Sequence, residues 1–456
     1  MNLMPPQDSM FIIPETREQP MHVGSLQVFD LPPGAGDDYV GELYAQALSV
    51  EDVAPLFRKR PRRSLTTGGQ WAWVEDDDLD LEHHVRHSAL PRPGRVRELL
   101  ALCSRLHGTL LDRKRPLWEA HLIEGLEGDR FAVYTKLHHA LMDGVSGLRL
   151  MQRSMSTDPD AHVDMPYAHH PRQRRAAAPG PGLLGLPGAA AHTARDAAGI
   201  GPAALKLAYK GLVEQAAALP MQAPKSMLNV SITGSRRFAA DSWDLGRIKA
   251  VGKAAGATVN DVLLAMCSGA LRQYMLELDA LPKAPLVAMT PVSLRADDDD
   301  PDSTSNATGT LLCNLGTHLA DPVLRLQAVK TSMDAGKDAY RGRSQLQVTA
   351  LSAVMMSPLA LNAFVALHKF APPPFNLVIS NVPGPKETLY FNGARLEGLY
   401  PLSIPTHGQA LNITVTSYDG RLQFGLTGCR RTVPRLQRLL VHLEDALADL
   451  EKAVTA

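Results

Sequence analysis

His138-His139-Ala140-Leu141-Met142-Asp143-Gly144 is the stretch of this chain whose residue types and spacing can do chemistry. An imidazole switches charge near neutral pH, so a positioned histidine can take a proton from a reacting group and later return it. Adjacent strand residues point to opposite faces, so His138 and His139 cannot both face one cavity. One is then the base and the other its buttress. Asp143 can fix the loop or an imidazole tautomer, and Gly144 permits a backbone turn that other residues could not make.

Three other chemistries compete for these residues. His83-His84 and His169-His170 are also paired, but neither has an Asp-Gly at this spacing, and they read as a surface strand and part of a linker. A metal site fits poorly, because adjacent strand histidines diverge and no third ligand group is in view. A serine triad fails for want of a G-x-S-x-G nucleophile elbow. On the residues alone, a catalytic base and a purely structural histidine both stay open.

The elements that must hold the heptapeptide are legible around it. The apolar run 131–137 predicts a buried strand and residues 145–151 a helix start. Upstream, residues 23–29 alternate as a strand and 96–111 carry helical spacing. Residues 158–187, rich in Pro, Gly, His, Ala and Arg, read as an exposed linker, followed by a helix over 202–219. Beyond residue 231 a second lobe is predicted. Thr258 can cap a helix to about residue 276, and residues 286–291 and 375–380 read as buried strands. Tyr418-Asp419-Gly420 reads as a hairpin turn between alternating runs. The last helix carries a stripe of Leu436, Leu440, Leu443, Leu447 and Leu450, which is core packing.

At 456 residues the chain exceeds one ordinary core, so two packed lobes are expected: 1–155, a variable linker over 156–230, and 231–456. Lys+Arg 47 balances Asp+Glu 47, which gives no general pull toward nucleic acid. The basic run Arg58 to Arg63 reads as solvated charge or as a contact for a phosphate-bearing ligand or anionic membrane surface. The acidic runs 76–78 and 297–300 read as solvated loops. The four scattered cysteines suggest reduced thiols in a cytosolic protein. Neither a signal peptide nor an apolar stretch long enough to span a membrane is seen, so a soluble or peripheral protein is expected.

His138-His139-x-x-x-Asp143-Gly144 matches the H-H-x-x-x-D-G motif of acyltransferases and peptide-condensation domains of the chloramphenicol-acetyltransferase-like fold. Pro5-Pro6-Gln7-Asp8, Pro20 to Gly24, Pro116-Leu117-Trp118-Glu119, Thr258 to Val262, Pro291 to Arg295 and Asn381 to Pro385 occur in the order seen in bacterial wax ester synthase/diacylglycerol acyltransferases, which the chain resembles from its N-terminus to its last helix. The resemblance implies an α/β fold of two lobes of mixed sheet and helices, with the site in a tunnel at their interface. It implies His139 as general base beside His138, and Asp143 as loop support, for which Arg295 is the expected partner. It also puts Asn260 and Asp261 in the site, with Asn260 a donor near the reacting carbonyl, and lets Pro116, Leu117 and Trp118 touch substrate. Each has a plainer reading: a surface charge for Arg295, helix-start residues for Asn260 and Asp261, a core anchor for Trp118. The Asn381–Pro385 turn is expected to shape a tunnel or the lobe contact, and apolar residues 351–370 form a core helix or a tunnel wall.

The activity so implied is transfer of a fatty acyl group from acyl-CoA, a substrate, to a long-chain alcohol or diacylglycerol. No cofactor, metal or nucleic acid is expected, and the place is the cytoplasm, including the inner-membrane or lipid-inclusion surface. A condensation-type enzyme using carrier-bound acyl groups and a non-catalytic lipid-binding protein remain the other classes.

Overall fold

The computed structural model describes residues 2–64, 67–169, 218, 220–293, 308–341, 343–344, 347–353, 355–356 and 370–455. The first part of the chain runs β1 (Asn2–Leu3), α1 (Pro6–Ile12), β2 (His22–Asp30), α2 (Tyr39–Leu48), β3 (Lys59–Arg63), β4 (Trp71–Glu75), α3 (Leu81–His84), β5 (Val85–Ala89), α4 (Val96–His107), β6 (Trp118–Leu126), β7 (Arg130–His138) and α5 (Gly144–Arg153). The second runs β8 (Arg236–Asp244), α6 (Leu245–Ala255), α7 (Val259–Glu277), β9 (Val287–Ser293), β10 (Thr308–Asn314), α8 (Pro322–Tyr340), β11 (Leu377–Val382), β12 (Tyr390–Phe391), β13 (Ala394–Leu402), β14 (Leu411–Tyr418), β15 (Arg421–Cys429) and α9 (Arg438–Thr455).

Two six-stranded mixed sheets organise these elements, in the orders β12-β13-β2-β7-β6-β5 and β10-β9-β11-β14-β15-β8. In the first, only β5 and β6 pair in parallel; in the second, β9, β11 and β14 form a parallel centre flanked by antiparallel strands. Parallel strands buried on both faces read as continuous apolar runs, which is how residues 286–291 and 375–380 announced β9 and β11. A small sheet β1-β4-β3 lies at the N-terminal end.

Local chemistry explains the best-defined elements. Thr258 and Asp261 form a reciprocal capping box at the start of α7: Asp261 Oδ2 accepts from Thr258 N at 2.9 Å, and Thr258 Oγ1 accepts from Asp261 N at 3.2 Å. Behind this cap α7 is buried over most of its length, and α9 sets Leu443, Leu447 and Leu450 into the same core. Asp419 and Gly420 have φ of 43° and 71°, the left-handed pair that a two-residue hairpin turn between β14 and β15 requires.

The segment expected to form the second lobe also completes the first. β12 and β13 lie within 231–456, yet β13 pairs with β2 at the edge of the N-terminal sheet. A core cluster joins Phe238 of β8 to Leu26, Tyr134 and Leu402 across the boundary. Where β15 crosses β13, a Cβ on Gly425 would lie 1.8 Å from the Pro401 carbonyl oxygen, so only glycine allows this approach.

Some expectations change. His83-His84 is a short helix rather than a surface strand. His84 is buried, stacks on Trp118 with ring centroids 4.6 Å apart, and shares a 2.8 Å hydrogen bond through Nδ1 with the Trp118 carbonyl. The start of the expected exposed linker is partly core, because Met165 and Tyr167 insert beside Trp118. All four cysteines are free and buried. No single described helix is long and apolar enough to cross a membrane. The expected helix over 202–219 and the acidic run 297–300 lie almost wholly or wholly outside the described residues, as does most of 351–370.

Candidate active site

Strand β7 ends at His138, and the antiparallel ladder to β2 pairs His22 with His138. One residue further the ladder still holds, because the His139 N–H donates to the Met21 carbonyl at 2.9 Å. Alternation therefore puts Thr135, Leu137 and His139 on one face, and Lys136 and His138 on the other. The two histidines meet different environments, as the sequence required.

His138 is fully buried. Its Nδ1 accepts from the Ala140 N–H at 3.1 Å, and its carbonyl accepts from Leu141 N at 2.9 Å, so it closes the turn after the strand. An Nδ1 used as acceptor carries no proton, which puts the proton of this ring on Nε2. That atom lies 3.3 Å from Glu15 Oε1. Glu15 is buried and also takes the Met21 N–H at 3.0 Å and Arg113 at 2.9 Å. Burial alone would raise the Glu15 carboxyl; His138, the Met21 N–H and Arg113 outweigh it and hold the group below its usual range. His138 is thereby clamped from the backbone and from a buried carboxylate.

His139 is half-buried and stacks on Phe11 of α1, with ring centroids 4.0 Å apart. Its Nδ1 is buried and has no hydrogen-bond partner among the described residues, which leaves Nε2 as the nitrogen able to meet a substrate. Burial lowers its pKa, against the opposing pull of the Asp143 charge, its own backbone and Asp8, while His138 adds to the lowering. The ring is held in the neutral form that a general base needs.

Asp143 is exposed and acts as the N-cap of α5: Oδ1 accepts from Ser146 N at 2.8 Å and Oδ2 from Ser146 Oγ at 3.0 Å. This supports the loop through Ser146; Arg295, the expected partner, lies outside the described residues. The expectation for Gly144 needs correction. Gly144 is the first residue of α5 with no positive φ, and a Cβ there would meet only Val23 Cγ1 at 3.9 Å, so no unusual turn demands a glycine.

The N-terminal motifs converge on this turn. The Leu117 carbonyl accepts from His138 N at 3.0 Å, Met21 holds His139, and Asp8 lends charge while accepting from Trp73 Nε1 at 3.2 Å. Pro116 and Leu117 are buried, and Trp118 is a core anchor whose Nε1 donates to the Phe57 carbonyl at 2.8 Å. Trp118 also lines a cavity of about 60 Å³, set on the face of β7 that carries Leu137.

The second-lobe motifs form a separate pair. Asn260 Oδ1 accepts from Asn381 Nδ2 at 3.4 Å, leaving the Asn260 amide N–H groups to donate elsewhere. Asp261 is buried in the capping box, with Oδ1 unpartnered among the described residues. The Asn381–Pro385 turn reaches the first lobe through Val382, and a Cβ on Gly384 would sit 2.1 Å from the Ser417 carbonyl oxygen. No hydrogen bond or ion pair among the described residues links this pair to the histidines. Phe11, Glu15 and Arg113 escaped the sequence analysis; Phe11 and Glu15 meet histidines more than a hundred positions away and Arg113 meets Glu15 at a separation of 98, which no local pattern marks.

Residues 4–263 match the model of the wax ester synthase/diacylglycerol acyltransferase catalytic domain, and residues 304–451 that of the WS/DGAT C-terminal domain. The chain belongs to this family. It is an acyltransferase of two lobes, as the motifs implied. A Mycobacterium tuberculosis (strain H37Rv) relative bearing the name "Probable diacyglycerol O-acyltransferase tgs2" is 53% identical, with 100% of both chains covered. The solved wax ester synthase/diacylglycerol acyltransferase from Marinobacter aquaeolei VT8 superposes with a TM-score of 0.81 at 42% identity, covering 100% of both chains. The starter condensation domain of rhizomide synthetase RzmA shares the fold alone, with a TM-score of 0.57 at 14% identity, over 100% of this chain and 95% of that one.

Proposed function

We propose that this acyltransferase moves a fatty acyl group from acyl-CoA to the hydroxyl of diacylglycerol or a long-chain alcohol, with His139 as general base. The observation that carries this reading is the half-buried His139 ring, its Nδ1 buried and unpartnered among the described residues and its pKa lowered by burial, on a turn that His138, Leu117 and Met21 hold still. The acceptor oxygen bonds to the thioester carbonyl carbon as its proton passes to His139. The carbon–sulfur bond then breaks, and the imidazolium returns that proton to the departing thiolate, giving an ester and free CoA. Direct transfer needs neither a nucleophile nor a cofactor from the enzyme. Asn260, its carbonyl engaged by Asn381, is suited to donate an N–H toward the oxyanion.

A lipid-surface location is supported by the N-terminal end, where exposed Leu3, Met10 and Ile13 neighbour the small sheet whose β3 exposes Arg62 and Arg63. A thiol-reactive dye that follows free CoA tests the activity. Palmitoyl-CoA with dioleoylglycerol or hexadecanol should release CoA, and acyl groups on a carrier protein should be poorer donors. Absence of acceptor-dependent release with both acceptors would refute the proposal.

A further inference from the structure

A histidine base is ordinarily oriented by a hydrogen bond to its second ring nitrogen, because the torsion that turns the imidazole about its Cβ–Cγ bond is soft. His139 lacks that bond. Its Nδ1 is buried and has no hydrogen-bond partner among the described residues. Asp143, the carboxylate nearest in sequence, directs both oxygens to Ser146, at 2.8 Å to the N–H and 3.0 Å to Oγ. The bond from His139 N to the Met21 carbonyl fixes the backbone of the turn and leaves the plane of the ring open.

What meets the ring is a flat face. Phe11 stacks on His139 with centroids 4.0 Å apart and planes 21° apart. Stacking of this kind opposes rotation of the imidazole out of its plane, and so sets the direction of Nε2. Phe11 is itself held in place. The seven residues of α1 are too few to be stable alone, so tertiary contacts decide where the helix lies. Ile12 is fully buried in a cluster with Leu117 and Ala140, and its carbonyl accepts from Arg113 Nη2 at 2.7 Å. Asp8 accepts from Trp73 Nε1 at 3.2 Å. Three residues apart, Asp8 and Phe11 share one face of α1, and both reach the ring, one as a charge and the other as a surface.

We propose that Phe11 is a positioning residue for the transfer: by lying flat on His139 it fixes the plane in which Nε2 meets the acceptor hydroxyl. The inference rests on His139 as the general base.

Phe11→Leu keeps an apolar side chain over the ring and removes the flat face. With palmitoyl-CoA and hexadecanol its kcat should fall about tenfold to a hundredfold, the loss that misalignment brings, with KM within about twofold of the parent. Phe11→Tyr keeps the face and should hold kcat within about threefold. On a His139→Ala background Phe11→Leu should cost less than about twofold more, since nothing is left to position. The pH limb adds a separate readout. Asp143, Asp8 and His138, the charged groups that reach the ring, all stay in Phe11→Ala, which loses part of the burial that lowers the pKa from 6.5. Its bend should therefore move up toward 6.5, and that of Phe11→Tyr should not. In the parent, the His139 ring protons, identified by their absence from His139→Ala, should resonate upfield under the Phe11 ring current and move downfield in Phe11→Leu. Parent resonances at ordinary positions would overturn the inference even if no variant folds. So would a kcat within about threefold of the parent in Phe11→Leu, an equal loss with and without His139, or a raised KM at unchanged kcat. Each of those results leaves His139 as the base. A folded His139→Ala protein with the parent rate would instead sink the base reading, and this inference with it.

Discussion

A histidine serves as a base at neutral pH only while its ring is uncharged, and burial lowers the pKa of His139 from its ordinary 6.5. The limb of kcat/KM against pH that reports this base should therefore bend below 6.5 and stay flat above it; a bend above 6.5 would contradict the burial argument. Asp143 separates two roles. Its charge raises the His139 pKa, while its Oδ1 caps α5 through the Ser146 N–H. Asp143→Asn keeps an acceptor for the cap but removes the charge, so the bend should move to still lower pH with stability near that of the parent. Asp143→Ala removes the cap as well and should cost about 1 kcal/mol in urea unfolding. An Asp143→Asn variant with an unmoved bend would show that the charge does not reach the ring.

At the scale of elements, what the sequence made visible was whatever neighbours in the chain decide. Thr258 with Asp261, the Asp419-Gly420 turn and the strand–turn–helix about His138 and His139 are each set within a few residues, and each forms where the pattern puts it. The capture of β13 by β2 is a pairing between residues 395–402 and 24–30, and no local signal specifies it. The same holds for Glu15 and Arg113 beneath His138, and for Phe11 over His139. His84 misled because its charged neighbours in sequence say nothing of Trp118, on which it stacks. The close crossing of β15 over β13 gives this long-range pairing a test. Gly425→Ala would force a methyl to within 1.8 Å of the Pro401 oxygen, so one strand must shift. The expected loss is about 1–3 kcal/mol in urea unfolding, with reduced activity. A variant as stable as the parent would mean that the two sheets are not locked there.

For the whole molecule, the histidines that build the first lobe make it sensitive to acid. Burial lowers the pKa of His22, His107 and His121; that of His107 falls to about 3, and that of His84 to about 4. These values lie below 6.5, so the unfolded chain binds more protons than the folded one beneath that pH, and stability falls as the pH drops. Each such histidine removes up to about 1.4 kcal/mol per pH unit until its own folded value is reached. Glu15 and Glu119 add to the loss below 4.5. For Glu119, burial opposes the shift, but His121, Lys136 and Arg86 outweigh it and hold the carboxyl at about 2. The urea midpoint should fall steadily from pH 7 to pH 4.5 and more steeply below; a flat profile over 7 to 5 would mean that the buried histidines titrate normally.

All of this serves one ring on one turn, and the most direct test removes the ring. His139→Ala, with circular dichroism and a urea midpoint like those of the parent, should release CoA from palmitoyl-CoA and dioleoylglycerol or hexadecanol at no more than about one hundredth of the parent rate, the usual worth of a general base. A folded His139→Ala protein that releases CoA within a few fold of the parent rate would contradict the account.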